Sequence, residues 1–146
     1  MPMNKLFVLA LCGLFGLRAT AATAVATDHE LHTAQCVAAL EVNTEELAAN
    51  VKAGQADLRT LLLDRLSYGA AFIADSYLHG ERDETRAKGF LNAALEAQKS
   101  LPRRELGARQ ARCALEGAQL LADADFVSRA VVSRLAQRRM KKLLED

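Results

Sequence analysis

Alanine and leucine dominate this chain. From residue 27 to the last residue, 146, there are 22 Ala and 19 Leu, about a third of the stretch, and strand-forming residues occur only singly or in pairs. A sheet requires period-two runs of β-branched and aromatic residues to cover one face, and no alternating run of four appears. Apolar residues recur instead three and four apart, the period of an amphipathic helix. The fold class that follows is all-α.

Punctuation divides the chain into five or six helices. Asp28 opens a helix to about residue 42, and Asn43-Thr44-Glu45-Glu46 reads as a cap with acids in the first turn of a short helix ending before Gly54. Asp57 opens the longest helix, which stops at His79-Gly80 and turns Leu58, Leu61, Leu62, Leu66, Gly69, Phe72, Ile73 and Tyr77 inward. Gly69 costs that helix about 1 kcal/mol relative to Ala, so close approach of a second helix is expected there. Asp83-Glu84 begin a helix with Ala87, Phe90, Leu91, Ala94 and Leu101 inward. Pro102 leads into one over 103–122, with Leu106, Gln110, Cys113, Gly117 and Leu120 inward. Asp123-Ala124-Asp125 caps the last, over 126–144, with Val127, Ala130, Val131 and Leu135 inward. Short connections make neighbours antiparallel, in a closed bundle or a solenoid-like stack.

The first residues read as an export signal. Lys5 supplies a positive start, residues 6–17 (LFVLALCGLFGL) an apolar core, and residues 19–26 (ATAATAVA) several small-x-small cleavage patterns. The core is shorter than the roughly 20 apolar residues a bilayer crossing needs. The expectation is a signal peptide over 1–26 and a single exported domain over 27–146, periplasmic or secreted. Its removal takes Cys12 and leaves one pair, Cys36 and Cys113. In an oxidising compartment an even pair reads as a disulfide. Closing so long a loop is worth about 4–4.5 kcal/mol in the chain-entropy account. Charge is asymmetric: residues 27–102 carry 7 Lys/Arg against 12 Asp/Glu, and residues 103–146 carry 10 against 6. Two such halves of one domain attract each other.

Residues 70–97 (AAFIADSYLHGERDETRAKGFLNAALEA) place Ala71 and Ala74 before Tyr77-Leu78-His79-Gly80, then Asp83 to Ala87, then Phe90 and Ala94. This order resembles a tetratricopeptide-type hairpin of the Sel-like branch. The resemblance implies small residues that let two helices approach, a glycine that ends the first, an aromatic plug, and a surface that binds rather than catalyses. The flanking segments lack the Tyr-x-x-Gly turn.

Chemistry-bearing motifs are sparse. Nucleophile elbows, phosphate-binding glycine loops and H-E-x-x-H are absent from the sequence. His29 and His32, spaced i, i+3, can share one helix face as two metal ligands, but no third is indicated. Cleavage after Ala26 would create Thr27-Asp28-His29, a terminal amine, two amides and an imidazole that suit square-planar Cu(II) or Ni(II). The basic run Arg138 to Lys142 lacks interleaved aromatics and suits a helix C-terminus better than a nucleic acid. The expected function is a small exported protein-binding module without catalytic activity or cofactor, of the inhibitor, immunity or adaptor kind. Its groove would lie between the hairpin at 57–101 and the helix at 103–122, with Tyr68, Tyr77 and Phe90 as contacts. Metal handling through Thr27-Asp28-His29 is the alternative. A homodimer through the last helix is a further option.

Overall fold

The protein, described here by a computed structural model over residues 24–146, is all-helical. The described residues form α1 (Asp28–Glu41), α2 (Thr44–Lys52), α3 (Leu58–Leu78), α4 (Glu84–Lys99), α5 (Arg103–Asp123) and α6 (Phe126–Glu145). The export segment expected over 1–26 lies outside the described residues, apart from 24–26. No helix among the described residues is long and apolar enough to cross a membrane.

The helix ends follow local chemistry. Thr27 and Glu30 form a reciprocal capping box at the start of α1, one residue earlier than the Asp28 cap expected. Asp83 accepts from the Arg86 amide at 2.9 Å, and Asp125 from the Ser128 amide at 2.7 Å, each satisfying an orphan N–H of a first turn. Asn43 enters the left-handed region (φ 69°) and its side chain caps nothing; Thr44 Oγ1 donates to Glu41 O instead. The end of α1 is closed from a distance. Gln110 Nε2 donates to Ala39 O at 2.9 Å, and half-buried Arg65 donates to Gln110 Oε1 at 3.2 Å. Carbonyls that a helix end leaves without partners are thereby tied to α3 and α5.

Two helices organise the packing. α3 lies against α1, α2, α5 and α6, and α1 lies against α3, α4 and α5. Three apolar clusters hold them. Cys36, Val37, Leu40, Phe72 and Cys113 join α1, α3 and α5, with the Cys36–Cys113 disulfide at their centre (Cα–Cα 5.2 Å). Leu62, Leu66, Ala48, Ala136 and Met140 join α3, α2 and α6. Ala34, Ala38 and Ala94 let α1 and α4 approach, with Phe90 and Leu91 alongside.

Three expectations change. α3 and α4 scarcely touch, because α1 is seated against both and against α5. The space proposed for a groove between 57–101 and 103–122 is closed, because α3 packs directly on α5 and α1 lies between α4 and α5. Gly69 is not the close-approach glycine: a methyl group there meets nothing within 4 Å, whereas one at Gly117 would lie 2.6 Å from Tyr68 Cβ. The last helix is rotated from its expected setting. It buries Val132, Ala136 and Met140 and leaves Val127 (68%) and Val131 (50%) exposed.

Candidate functional site

The rotation of α6 leaves an apolar cleft between α6 and the C-terminal half of α3. Both helices are clamped at one end by Leu62, Leu66, Ala136 and Met140. Farther along, α3 faces α6 with Gly69, Ala70 and Ala74, which are too small to reach Val127 and Val131. A trough of about 580 Å³ remains, floored by Val37 and Leu40 of α1 and walled by Ile73 and Tyr77 on one side and Val131 and Leu135 on the other. Ile73 and Tyr77 are each 54% exposed. Exposed apolar side chains scattered singly need no explanation, but these are contiguous and lie along two facing helices.

The rim is basic on the α6 side. Val127, Val131, Arg134 and Arg138 follow at i, i+4, i+7 and i+11, one helix face, and both arginines are exposed. Arg139 at the closed end pairs with Glu41 at 2.7 Å. Burial lowers the pKa of Arg65 at that end without removing its charge at any ordinary pH.

Of the three aromatics expected to share a contact surface, Tyr77 and Phe90 line one common cleft and Tyr68 lies apart. Tyr68 is half-buried, with its backbone against Gly117 and its ring against the disulfide cluster. Tyr77 lines the α3–α6 cleft, and the Arg82 guanidinium lies 4.8 Å from its ring centre. Phe90 packs on the α1–α4 alanines under Arg86, at 5.0 Å, and opens on a second cleft of about 670 Å³ that α1, α4 and the end of α3 line together, with Ile73 and Tyr77 in its wall. The end of α3 and the face of α4 thus meet across this second cleft, whereas Tyr68 lies on the side of α3 that packs on α5.

His29 and His32 likewise diverge, into two separate clusters. His29 Nδ1 lies 2.8 Å from Glu81 Oε1 and Nε2 lies 3.1 Å from Asp75 Oδ2. Ser76 Oγ donates to the other oxygen of Glu81. Above all the bond to Glu81, and then Asp75, holds the His29 imidazole above its ordinary pKa against the opposing effect of burial. The His79 ring stacks at 4.5 Å from that of His29. His32 Nε2 instead pairs with Glu116 at 3.0 Å, beside the disulfide sulfur of Cys36. The terminal chelate expected of Thr27-Asp28-His29 meets a different arrangement. The Thr27 amide donates to Glu30, Asp28 and His29 are in the first turn of α1, and the His29 ring faces α3. A planar chelate there requires that turn to unwind.

Glu30 and Arg86 tie α1 to α4. Arg86 Nε lies 2.7 Å from Glu30 Oε1, and this bond first, then the Thr27 amide, holds the Glu30 carboxyl at about 2. Arg86 also donates to the carbonyls of Ala24 and Val25, at 2.7 and 3.0 Å.

Sequence spacing carried a signal for part of this. Asp75-x-x-x-His79 puts a carboxylate and an imidazole on one face of the last turn of α3, next to the Gly80 stop. Nothing local connects that pair to His29. A scan against protein-family models finds no matching family, and searches of curated proteins and of solved structures find no match.

Proposed function

We propose that this protein is an exported binding module whose α3–α6 cleft receives an amphipathic helix of another protein, flanked by acidic residues. The observation that carries the reading is the open trough itself: Ile73, Tyr77, Val131 and Leu135 face one another across a floor of Val37 and Leu40. A trough between two helices accepts the apolar stripe of a third, read as anchors at i, i+3 or i+4 and i+7. The bases Arg134 and Arg138 along one rim favour a partner with Asp or Glu beside that stripe. An inhibitor, immunity or adaptor role fits such a surface, and the role consists of binding rather than catalysis. Export is supported by the signal-like residues 1–26 together with the Cys36–Cys113 disulfide, a bond that persists in oxidising compartments.

The test is a displayed library of helical peptides panned against the purified protein, with Val131→Glu and Leu115→Glu proteins as controls. Leu115 is an exposed leucine of α5 outside the cleft. The expected result is a selected family with an apolar i, i+4, i+7 stripe and acidic flanks, whose binding falls at least tenfold on Val131→Glu and is unchanged on Leu115→Glu. Peptides indifferent to Val131→Glu overturn the reading. So does sedimentation showing a micromolar homodimer that Val131→Glu dissociates, because a second copy would then be the occupant.

A further inference from the structure

We propose that His29, Asp75 and His79 form a binding site for a divalent transition-metal ion, Zn(II) by preference, that clamps the first turn of α1 to the last turn of α3. The donor set is two imidazoles and a carboxylate, which suits a borderline ion. One donor atom from each of the three lies within 4.8 Å of the others. Asp75 Oδ2 lies 3.1 Å from His29 Nε2 and 3.5 Å from His79 Nδ1. A tetrahedral ion with ligand bonds of 2.0–2.1 Å has edges of about 3.3–3.4 Å. Two sides of the triangle are therefore close to that length; His79 Nδ1 also donates to the Asp75 carbonyl at 2.8 Å, a bond that the ion replaces as the exposed His79 ring turns.

Glu81 supplies an independent indication. Ligating histidines almost always give their second ring N–H to a carboxylate, which fixes the tautomer and aims the other nitrogen at the ion. Here His29 Nδ1 faces Glu81 Oε1 at 2.8 Å, and Ser76 holds the second oxygen of Glu81. His29 keeps its Nδ1 proton toward Glu81, and the ion displaces the Nε2 proton that His29 shares with Asp75 in the metal-free protein. Asp75 and His79 are one turn apart on a rigid helix, so the site is built on elements rather than on a loop. The negative charges of Asp75 and Glu81 balance the ion. Solvent completes the fourth position, since the His79 side chain is 58% exposed.

This ion is distinct from one held by Thr27-Asp28-His29, and distinct from the His32, Cys36 and Glu116 group, whose sulfur is taken up by the disulfide. The experiment titrates Zn(II) into the disulfide-intact protein beginning at Thr27 against a chromophoric chelator, and Co(II) with its visible absorption as the report of coordination geometry. One ion per chain at micromolar affinity or tighter is expected, with intense tetrahedral Co(II) bands. His79→Gln and Asp75→Asn each weaken binding at least tenfold, Glu81→Gln weakens it about 10–100-fold, and His32→Ala changes nothing. Because His79 is a surface side chain, its variant keeps the fold, which circular dichroism verifies. Binding weaker than millimolar, or binding indifferent to His79→Gln, overturns the proposal. Loss on His29→Ala with no loss on His79→Gln assigns the ion to the terminal chelate and overturns it as well. Loss on His32→Ala does the same in favour of the other cluster.

Discussion

Two mid-helix glycines, Gly69 in α3 and Gly117 in α5, allow the packing to be tested by a matched pair of substitutions. Gly→Ala in a helix interior is worth about 0.8–1.0 kcal/mol in favour of the folded state at either site, through helix propensity and the entropy of the unfolded chain. The surroundings differ. At Gly69 the added methyl meets nothing within 4 Å. At Gly117 it lies 2.6 Å from Tyr68 Cβ, 3.1 Å from Tyr68 Cα and 3.2 Å from Tyr68 O. Two of those three atoms are backbone, so no rotamer change relieves the overlap, and α3 and α5 must part. The disulfide at Cys113, one turn before Gly117, tethers α5 to α1 and resists that movement. Overpacking of this kind costs about 1–3 kcal/mol.

Propensity cancels between the two variants, so Gly69→Ala should exceed Gly117→Ala in stability by about 1–3 kcal/mol, with the wild type between them. Urea unfolding followed by far-UV circular dichroism measures this. With a slope near 2 kcal/mol/M, typical of a small domain, the two midpoints separate by roughly 0.5–1.5 M. Equal midpoints, or a Gly117→Ala protein more stable than wild type, would refute the close approach of α3 and α5 at Tyr68. A destabilised Gly69→Ala protein would refute the open cleft.

Three further outcomes follow from the same packing. Reducing Cys36–Cys113, whose sequence separation is 77, should lower unfolding stability by about 4 kcal/mol; a loss below about 1 kcal/mol would mean the unfolded chain is already restricted. Gln98 is 1% exposed and its Oε1 has no hydrogen-bond partner, so Gln98→Met should raise stability by about 1 kcal/mol, read as a shift in urea midpoint. Glu30 is held at about 2, below its ordinary 4.5. Its contribution is therefore fully present above pH 4.5 and lost as pH falls toward about 2. Thermal unfolding scanned across that window should show a smaller acid loss in Arg86→Met than in wild type.

Much of the fold is legible in the sequence. The stripe Leu106, Gln110, Cys113 and Gly117 is the buried face of α5, and the residue before each of them is charged (Glu105, Arg109, Arg112 and Glu116), which fixes the orientation of the helix. For α6 two stripes compete, one position apart. Val127, Val131 and Leu135 are the more apolar, yet Val132, Ala136 and Met140 are buried, because a small Ala136 lets α6 seat against Leu62 and Leu66. Hydrophobicity alone ranks the wrong stripe first, and the remainder of that apolar surface becomes the cleft. The order of packing was also invisible. Hairpin logic pairs α3 with α4, but Ala34 and Ala38 make α1 the thinner partner and it is packed against both. The metal candidate was half legible: Asp75 and His79 are spaced for it, and His29 was singled out. Their convergence depends on how α1 crosses α3, which no local pattern encodes. The cysteine pairing needed no geometry once residues 1–26 are read as a signal, since that reading leaves Cys36 and Cys113 one partner each.

The central claim, that the α3–α6 cleft is an open receptor for a helix, is tested most directly by methyl NMR. The protein, labelled at Ile, Leu and Val methyls, is titrated with the acidic-flanked helical peptide selected by panning. Shifts concentrated at Val127, Val131 and Leu135, with Leu91 and Leu115 unmoved, are the result predicted. Shifts centred instead on Leu91 and the α1–α4 cleft, or methyl resonances at Val131 and Leu135 that already show a self-associated interface without peptide, would contradict it.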